Sequence, residues 1–273
     1  MQKFFTIFFI LLLTFFIQGC QQDLEIQGSN HIYINESQPY KVISVSAEVE
    51  NADSYKWKVK SKNKDYTLTN EETSAVIFHA KSAGTYTLEV KAKKGNKTFK
   101  TELEIKVTQP EVINGHTLPS EPDPTINDST LLGIDVNNNG VRDDVERYVI
   151  KRYAQDPEFP KTKTAIAMQY AWSTQKILEI PTIESKKYSD DAIDCQFYWI
   201  NNKRKNMPTL DGMKYSQKHK VFNNPELKDK IYNTRERIER KFSYNSALSG
   251  NIFSGRGENT VAKCQVNIDE LGE

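Results

Sequence analysis

The sequence predicts an α+β chain of more than one domain, a β-sandwich followed by an all-α bundle, and three observations carry that expectation. Apolar residues recur with a period of two from Leu24 to Val107 and with a helical period from Asp143 to about Gly250. Between them lies a proline-bearing stretch with no sustained period, which ends in one loop of metal-binding type. At 273 residues the chain is long enough to bury two separate cores.

In the first half, Ile43, Val45, Ala47 and Val49 alternate with polar residues, followed by Tyr55, Trp57 and Val59. The runs Tyr86, Leu88, Val90, Ala92 and Phe99, Thr101, Leu103, Ile105, Val107 follow, separated by Lys94-Gly95-Asn96-Lys97, whose composition predicts a tight hairpin turn. Short strands at this spacing over 24–108 point to a sandwich. The pieces Tyr55-Lys56-Trp57-Lys58-Val59 and Ala83-Gly84-Thr85-Tyr86-Thr87-Leu88-Glu89-Val90 resemble PKD and related bacterial Ig-like domains, with Trp57 as the central aromatic. The W-D-F-G-D-G signature of the PKD family is missing, so the resemblance is to the superfamily. It implies a spacer or binding module without catalysis.

Residues 109–134 contain Pro110, Pro119, Pro122 and Pro124 and read as a linker. Over 111–146 there are 8 acidic side chains and 1 basic, an acidic joint suited to a cation. Its end, Asp135 to Glu146, places Asp135, Asn137, Asn139, Asp143 and Glu146 at positions 1, 3, 5, 9 and 12, with Gly140 at 6 and the carbonyl of Val141 at 7. A calcium ion takes six to eight oxygens, so the chain must curl around it, and a glycine at the sharp turn allows this. The loop resembles the EF-hand type, which implies calcium as the cofactor. Arg142 stands at position 8, where paired EF-hands carry an apolar residue, and the pattern occurs once, so a two-loop sensor is not expected. The short approach 129–134 is closer to the loop-helix half-motifs of bacterial extracytoplasmic proteins. The expected dissociation constant is about 0.1 to 1 mM. The alternative is a turn rich in Asn, Asp and Gly that caps a helix without metal.

Residues 147–273 read as a helical domain. Val145, Tyr148, Val149 and Tyr153 share a face, as do Ile166, Tyr170, Ser173 and Ile177, and then Ile193, Gln196, Phe197 and Ile200. A last long helix is expected from Pro225 through Ile231, Thr234, Ile238 and Phe242. The tail Val261–Ile268, which holds Cys264, is expected to be extended.

The compartment is set by the beginning of the chain. Residues 1–19 combine Lys3, an almost wholly apolar run from Phe4 to Ile17, and Gly19 before Cys20. This is similar to the lipobox of bacterial lipoproteins, a resemblance that implies lipidation of Cys20, an anchor in residues 20–23 and a membrane as partner. A transmembrane helix needs about 20 apolar residues. Gln21 after the cysteine implies the outer membrane in hosts that have one. Of three cysteines, Cys195 and Cys264 then remain as a pair in a space that permits disulfides. Such a bond across 69 residues stabilises by about 4 kcal/mol in the chain-entropy model.

Without residues 1–19 the chain has 36 basic and 36 acidic side chains, a balance that argues against nucleic acid as a partner. Asp190-Asp191-Ala192-Ile193-Asp194 has the D-D-x-x-D spacing of prenyl-chain enzymes but no second acidic cluster, and after Ser189 it reads as a helix start. The glycines of 250–257 lack the lysine of a phosphate loop. Basic stretches at Lys203–Lys205 and Lys214–Lys220 read as solvated helix faces. No catalytic residue is assigned. The favoured expectation is a calcium-binding envelope lipoprotein acting as a structural or binding module toward an envelope protein or polysaccharide. The rival is an envelope hydrolase with its acids in the helical domain.

Overall fold

The computed structural model describes residues 23–222, 224–254 and 262–273. The leader, Cys20 and part of the glycine-bearing loop at 250–257 lie outside the described residues. The first half is built from eight strands in two four-stranded sheets. One sheet has β1 (Leu24–Gln27), β3 (Ser37–Ser44), β6 (Ala75–Ala80) and β5 (Tyr66–Thr69) in that order. The other has β2 (His31–Tyr33), β8 (Lys97–Thr108), β7 (Gly84–Lys94) and β4 (Ser54–Lys60), with β2 parallel to β8 and the other pairs antiparallel. Strand letters A-B-E-D and A′-G-F-C describe this order, which is that of an immunoglobulin-like sandwich.

Side-chain alternation fills the space between the sheets. Trp57 and Val59 of β4, Tyr86, Leu88, Val90 and Ala92 of β7, and Ile105 and Val107 of β8 are buried as their period predicts. Trp57 Nε1 donates to the Thr73 carbonyl at 2.8 Å, so the indole spends its polar edge inside the fold. Tyr86 stands near the start of the sixth strand of the Ig order, and its hydroxyl donates back to Ser82 O at 2.9 Å, the tyrosine corner of such sandwiches.

The phase of β3 differs from the sequence reading. Tyr40 and Val42 face the core, while Val45 is exposed and the strand ends at Ser44. The antiparallel register sets this, placing Val42 opposite the buried Ile26 and Tyr40 opposite the buried Val76.

The stretch read as a linker is folded against both halves. It carries a two-residue hairpin, β9 (Val112–Ile113) and β10 (His116–Thr117), and a short helix, α1 (Pro124–Asp128), capped by Asp123. Its Leu118 is buried with Tyr33 of β2 and with Ile150 and Ala154. Polar bonds run alongside: Ser120 N–H donates to Glu36 Oε1 at 2.9 Å, and Gln38 Nε2 donates to Ser120 Oγ at 2.7 Å.

The second half is helical, with α2 (Asp143–Tyr153), α3 (Pro160–Glu179), α4 (Lys186–Arg204), α5 (Thr209–His219), α6 (Pro225–Ile231) and α7 (Arg235–Leu248). The helix α3 is central and packs against α2, α4 and α7. Cys195 of α4 is bonded to Cys264, Cα to Cα 4.8 Å. Gln169 of α3 holds the same tail segment, donating to Lys263 O at 2.8 Å and accepting from Gln265 N–H at 3.0 Å.

Three helical expectations are corrected. The buried face of α4 is Ala192, Cys195, Gln196, Trp199 and Ile200, one residue out of phase with Ile193 and Phe197, which are exposed. That helix begins at Lys186, so the aspartates at 190–194 lie inside it, and Asp190 pairs with Lys186 one turn back at 2.6 Å. The expected long last helix is two, because Thr234 caps a fresh start, accepting from Arg237 N–H at 3.3 Å. Ile238 and Phe242 then face solvent, and Arg237 takes the inner position.

Removing the Tyr86 hydroxyl leaves the Ser82 carbonyl without its donor. Tyr86→Phe is expected to lower stability by about 1 kcal/mol in urea unfolding with an unchanged slope.

Candidate metal centre

The loop Asp135–Glu146 joins α1 and its following arch to the first turn of α2. Asp135 folds its carboxylate inward: Oδ1 accepts from Asn139 N–H at 3.1 Å and Oδ2 from Gly140 N–H at 2.8 Å. Asn137 Oδ1 and Asn139 Oδ1 accept from loop amides two residues on, at 3.2 and 2.8 Å. The carboxylate of Asp143 reaches back across the loop to Val136 N–H at 3.1 Å. Glu146 Oε2 accepts from both asparagine amides, Asn137 Nδ2 at 3.1 Å and Asn139 Nδ2 at 2.8 Å. The side chains at positions 3, 5 and 12 thus meet.

Two features fix the curl. Gly140 has φ +81°, and a Cβ there would lie 2.8 Å from Cδ1 of Trp172, so the indole of α3 seals the turn. Gly133, at φ +68°, admits the side chain of Arg142, which a Cβ would meet at 2.2 Å.

Asp143 and Glu146 are buried, and neither forms an ion pair among the described residues. Burial pushes the Asp143 carboxyl up to about 8, against one backbone donor that favours the charged form, and raises Glu146 for the same reason. Their place in the first turn of α2 gives them the favourable end of the helix dipole. Among the described residues no group of three or more His, Cys, Asp and Glu is assembled as a metal cage. In this loop, asparagine amides stand between the acids.

Asp144, although next to Asp143 in the chain, is not part of this cluster. It turns away and pairs with Arg142, Nε to Oδ1 2.5 Å. Arg142 is fully buried and also donates to Lys230 O at 2.5 Å and Ile231 O at 3.4 Å, holding the carbonyl end of α6. Arg237, equally buried, donates to Asp128 Oδ1 at 2.7 Å and to the carbonyls of Asn127, Thr130 and Leu131 between 2.7 and 3.0 Å. This clamp organises the approach to the loop in place of a full entering helix. The sequence reading missed it, although Arg142 at an ordinarily apolar loop position was its signal. Arg147, from α2, pairs with Glu121 at 2.6 Å and donates to Pro119 O.

Glu121 and Asp144 border a space of about 350 Å³ together with Arg147, Lys151, Arg152 and Lys230, and each acid is committed to an arginine.

Residues 48–108 match the model of the Y_Y_Y domain, a span that includes β4 to β8. The chain is similar in structure to the PKD domain from KIAA 1837 protein at 15% identity, over 34% of this chain and 94% of that one, with a TM-score of 0.30. For the PKD domain from human KIAA0319 the values are 17% identity, 38% and 95% coverage and a TM-score of 0.27. For an endo-beta-1,4-mannanase from Thermotoga petrophila they are 11%, 31% and 20%, and 0.21. No curated protein matches the chain. The two-sheet topology itself establishes an Ig-like sandwich followed by a helical region.

Arg142→Ala would leave the Asp144 carboxylate buried without its partner and two α6 carbonyls without a donor. A loss of about 3 kcal/mol is expected by urea unfolding. A pH dependence follows from Asp143, whose carboxyl is raised from 3.8 to about 8. Between those values the folded chain holds a proton that the unfolded chain releases, so in chelator the contribution is complete at low pH and lost as pH rises. Thermal unfolding in chelator should show a lower midpoint at about pH 8 than at about pH 5, with Asp143→Asn reducing the difference.

Proposed function

We propose that the chain is a lipid-anchored module of the bacterial cell envelope in which calcium, held by Asp135, Asn137, Asn139, the Val141 carbonyl, Asp143 and Glu146, braces the start of the helical half. The observation that carries this reading is the convergence of Asn137, Asn139 and Glu146 beside a buried Asp143 that, among the described residues, has no cationic side chain paired with it. Buried charge without a partner is costly, and a hard divalent cation with oxygen ligands is the compensation this donor set suits. The metal would supply charge and rigidity, not chemistry.

The role is structural or binding. The Leu118–Tyr33–Ile150 contact already joins the halves, so the ion's effect falls on the loop and α2. Cys20 and the leader support the anchor on sequence grounds alone, and export accords with the Cys195–Cys264 bond.

Terbium tests the site directly, because Trp172 lies against Gly140 and can sensitise a lanthanide in the loop. Wild-type protein should give terbium luminescence that calcium displaces, Glu146→Gln should not, and Trp172→Phe should lose the luminescence while keeping calcium stabilisation. At about 10 mM calcium the wild type should gain about 1.4 to 2.7 kcal/mol. An unfolding curve that calcium leaves unmoved, with no loop luminescence, would remove calcium from the proposal.

A further inference from the structure

The outward face of the β2-β8-β7-β4 sheet carries a concentration of positive charge that folding does not call for. In register, Lys56, Lys91 and Lys100 stand opposite one another across three adjacent strands. Like charges so placed are about 5 Å apart at Cβ and destabilise a sheet. One of them is compensated. Lys100 reaches Glu89 at 2.8 Å and Glu102 at 2.6 Å, and Lys58 and Lys60 close on the same Glu89 at 2.8 and 2.5 Å. Burial alone would raise the Glu89 carboxyl, but the ammonium groups around it hold it well below the carboxylate range.

Lys56 and Lys91 are exposed, as is Lys93, the next outward residue along β7, and none of the three forms an ion pair among the described residues. They form a triangle of free ammonium groups on an open pleated face. The outward face of the opposite sheet is different: its charged residues are Glu25 of β1 and Lys41 of β3.

This patch also lies at a particular end of the sandwich. Asp23 O accepts from Val45 N–H at 2.9 Å, and the Asp23 carboxylate is close enough to act on Lys97, in the hairpin that follows Lys94. The described chain therefore enters at the β7–β8 hairpin end, where Lys93 stands, and the connection to the helices leaves from Thr108 at the opposite end. Cys20 is three residues before Asp23.

We propose that the Lys56–Lys91–Lys93 face lies against anionic phospholipid headgroups. The choice of a lipid surface as occupant rests on the envelope-anchor reading above. A discrete small anion needs a concave, convergent site, whereas a flat triangle of unpaired cations fits a plane of phosphates. Basic residues near an anionic bilayer strengthen attachment by a similar increment each, so three together amount to about a hundredfold.

The test is co-sedimentation of the chain from Gln21 onward, which holds every described residue and lacks Cys20. The vesicles are phosphatidylcholine alone, or phosphatidylcholine with about one-third phosphatidylglycerol. Wild-type protein should bind the second and not the first, with affinity falling as salt is raised. Lys56→Gln/Lys91→Gln/Lys93→Gln should weaken binding about a hundredfold with an unchanged or higher melting temperature. Lys62→Gln/Lys64→Gln/Lys81→Gln, which removes the same charge from the other end, should bind as the wild type does. Equal binding to both vesicles, unchanged binding by the first variant, equal loss in both variants, or retention on immobilised polygalacturonate without vesicle binding would overturn the proposal. Lipidation is read separately, by palmitate labelling of the full chain against Cys20→Ser, so either reading can fail alone.

Discussion

Two buried guanidinium groups hold the centre of this molecule. Arg142 and Arg237 place their charges where water does not reach, and each is surrounded by backbone carbonyls and one carboxylate. An arginine buried in this way is costly unless its donors are satisfied, and its planar fork can meet several acceptors at once. The acceptors here come from the end of α6, from α1 and from the arch at Thr130–Leu131. The path into the loop and the break between the last two helices are therefore one arrangement.

That clamp divides the acids of the joint into two groups. Asp144 and Asp128 answer the arginines, while Asp143 and Glu146 turn into the loop, where their donors among the described residues are amides. The first group is structural by its pairing. The second is buried at the first turn of α2 without an ion pair among the described residues, so its cost falls on that helix start. The joint has its own apolar seal at Leu118 and its own polar bonds through Ser120.

The sandwich uses its polar residues differently on its two outer faces. On the β4-β7-β8 side, Glu89 is drawn in beneath three lysines, which leaves other lysines of the same face uncompensated. A charge pattern of this kind adds nothing to the core formed by Trp57, Tyr86 and their neighbours. It belongs to the surface, and to whatever the surface meets.

Strand periodicity at Tyr55–Val59 and over 86–107 was readable because each side chain there answers to one fixed inner face, and the curl of the Asp135–Glu146 loop was readable because the Asp, Asn and Gly residues that make its turn bonds are local in sequence. The pairing of Cys195 with Cys264 was expected from the number of cysteines left once Cys20 is set aside, and the bond is present. Tertiary structure decided the rest. Which side of β3 faces inward depends on β1 and β6, and the phase of α4 depends on α3 and the bonded tail. The end of α6 depends on an arginine some 90 residues earlier in the chain. Periodicity reports how a segment divides into faces, but only the neighbours, brought in from distant sequence, determine which face is dry and which charge finds a partner.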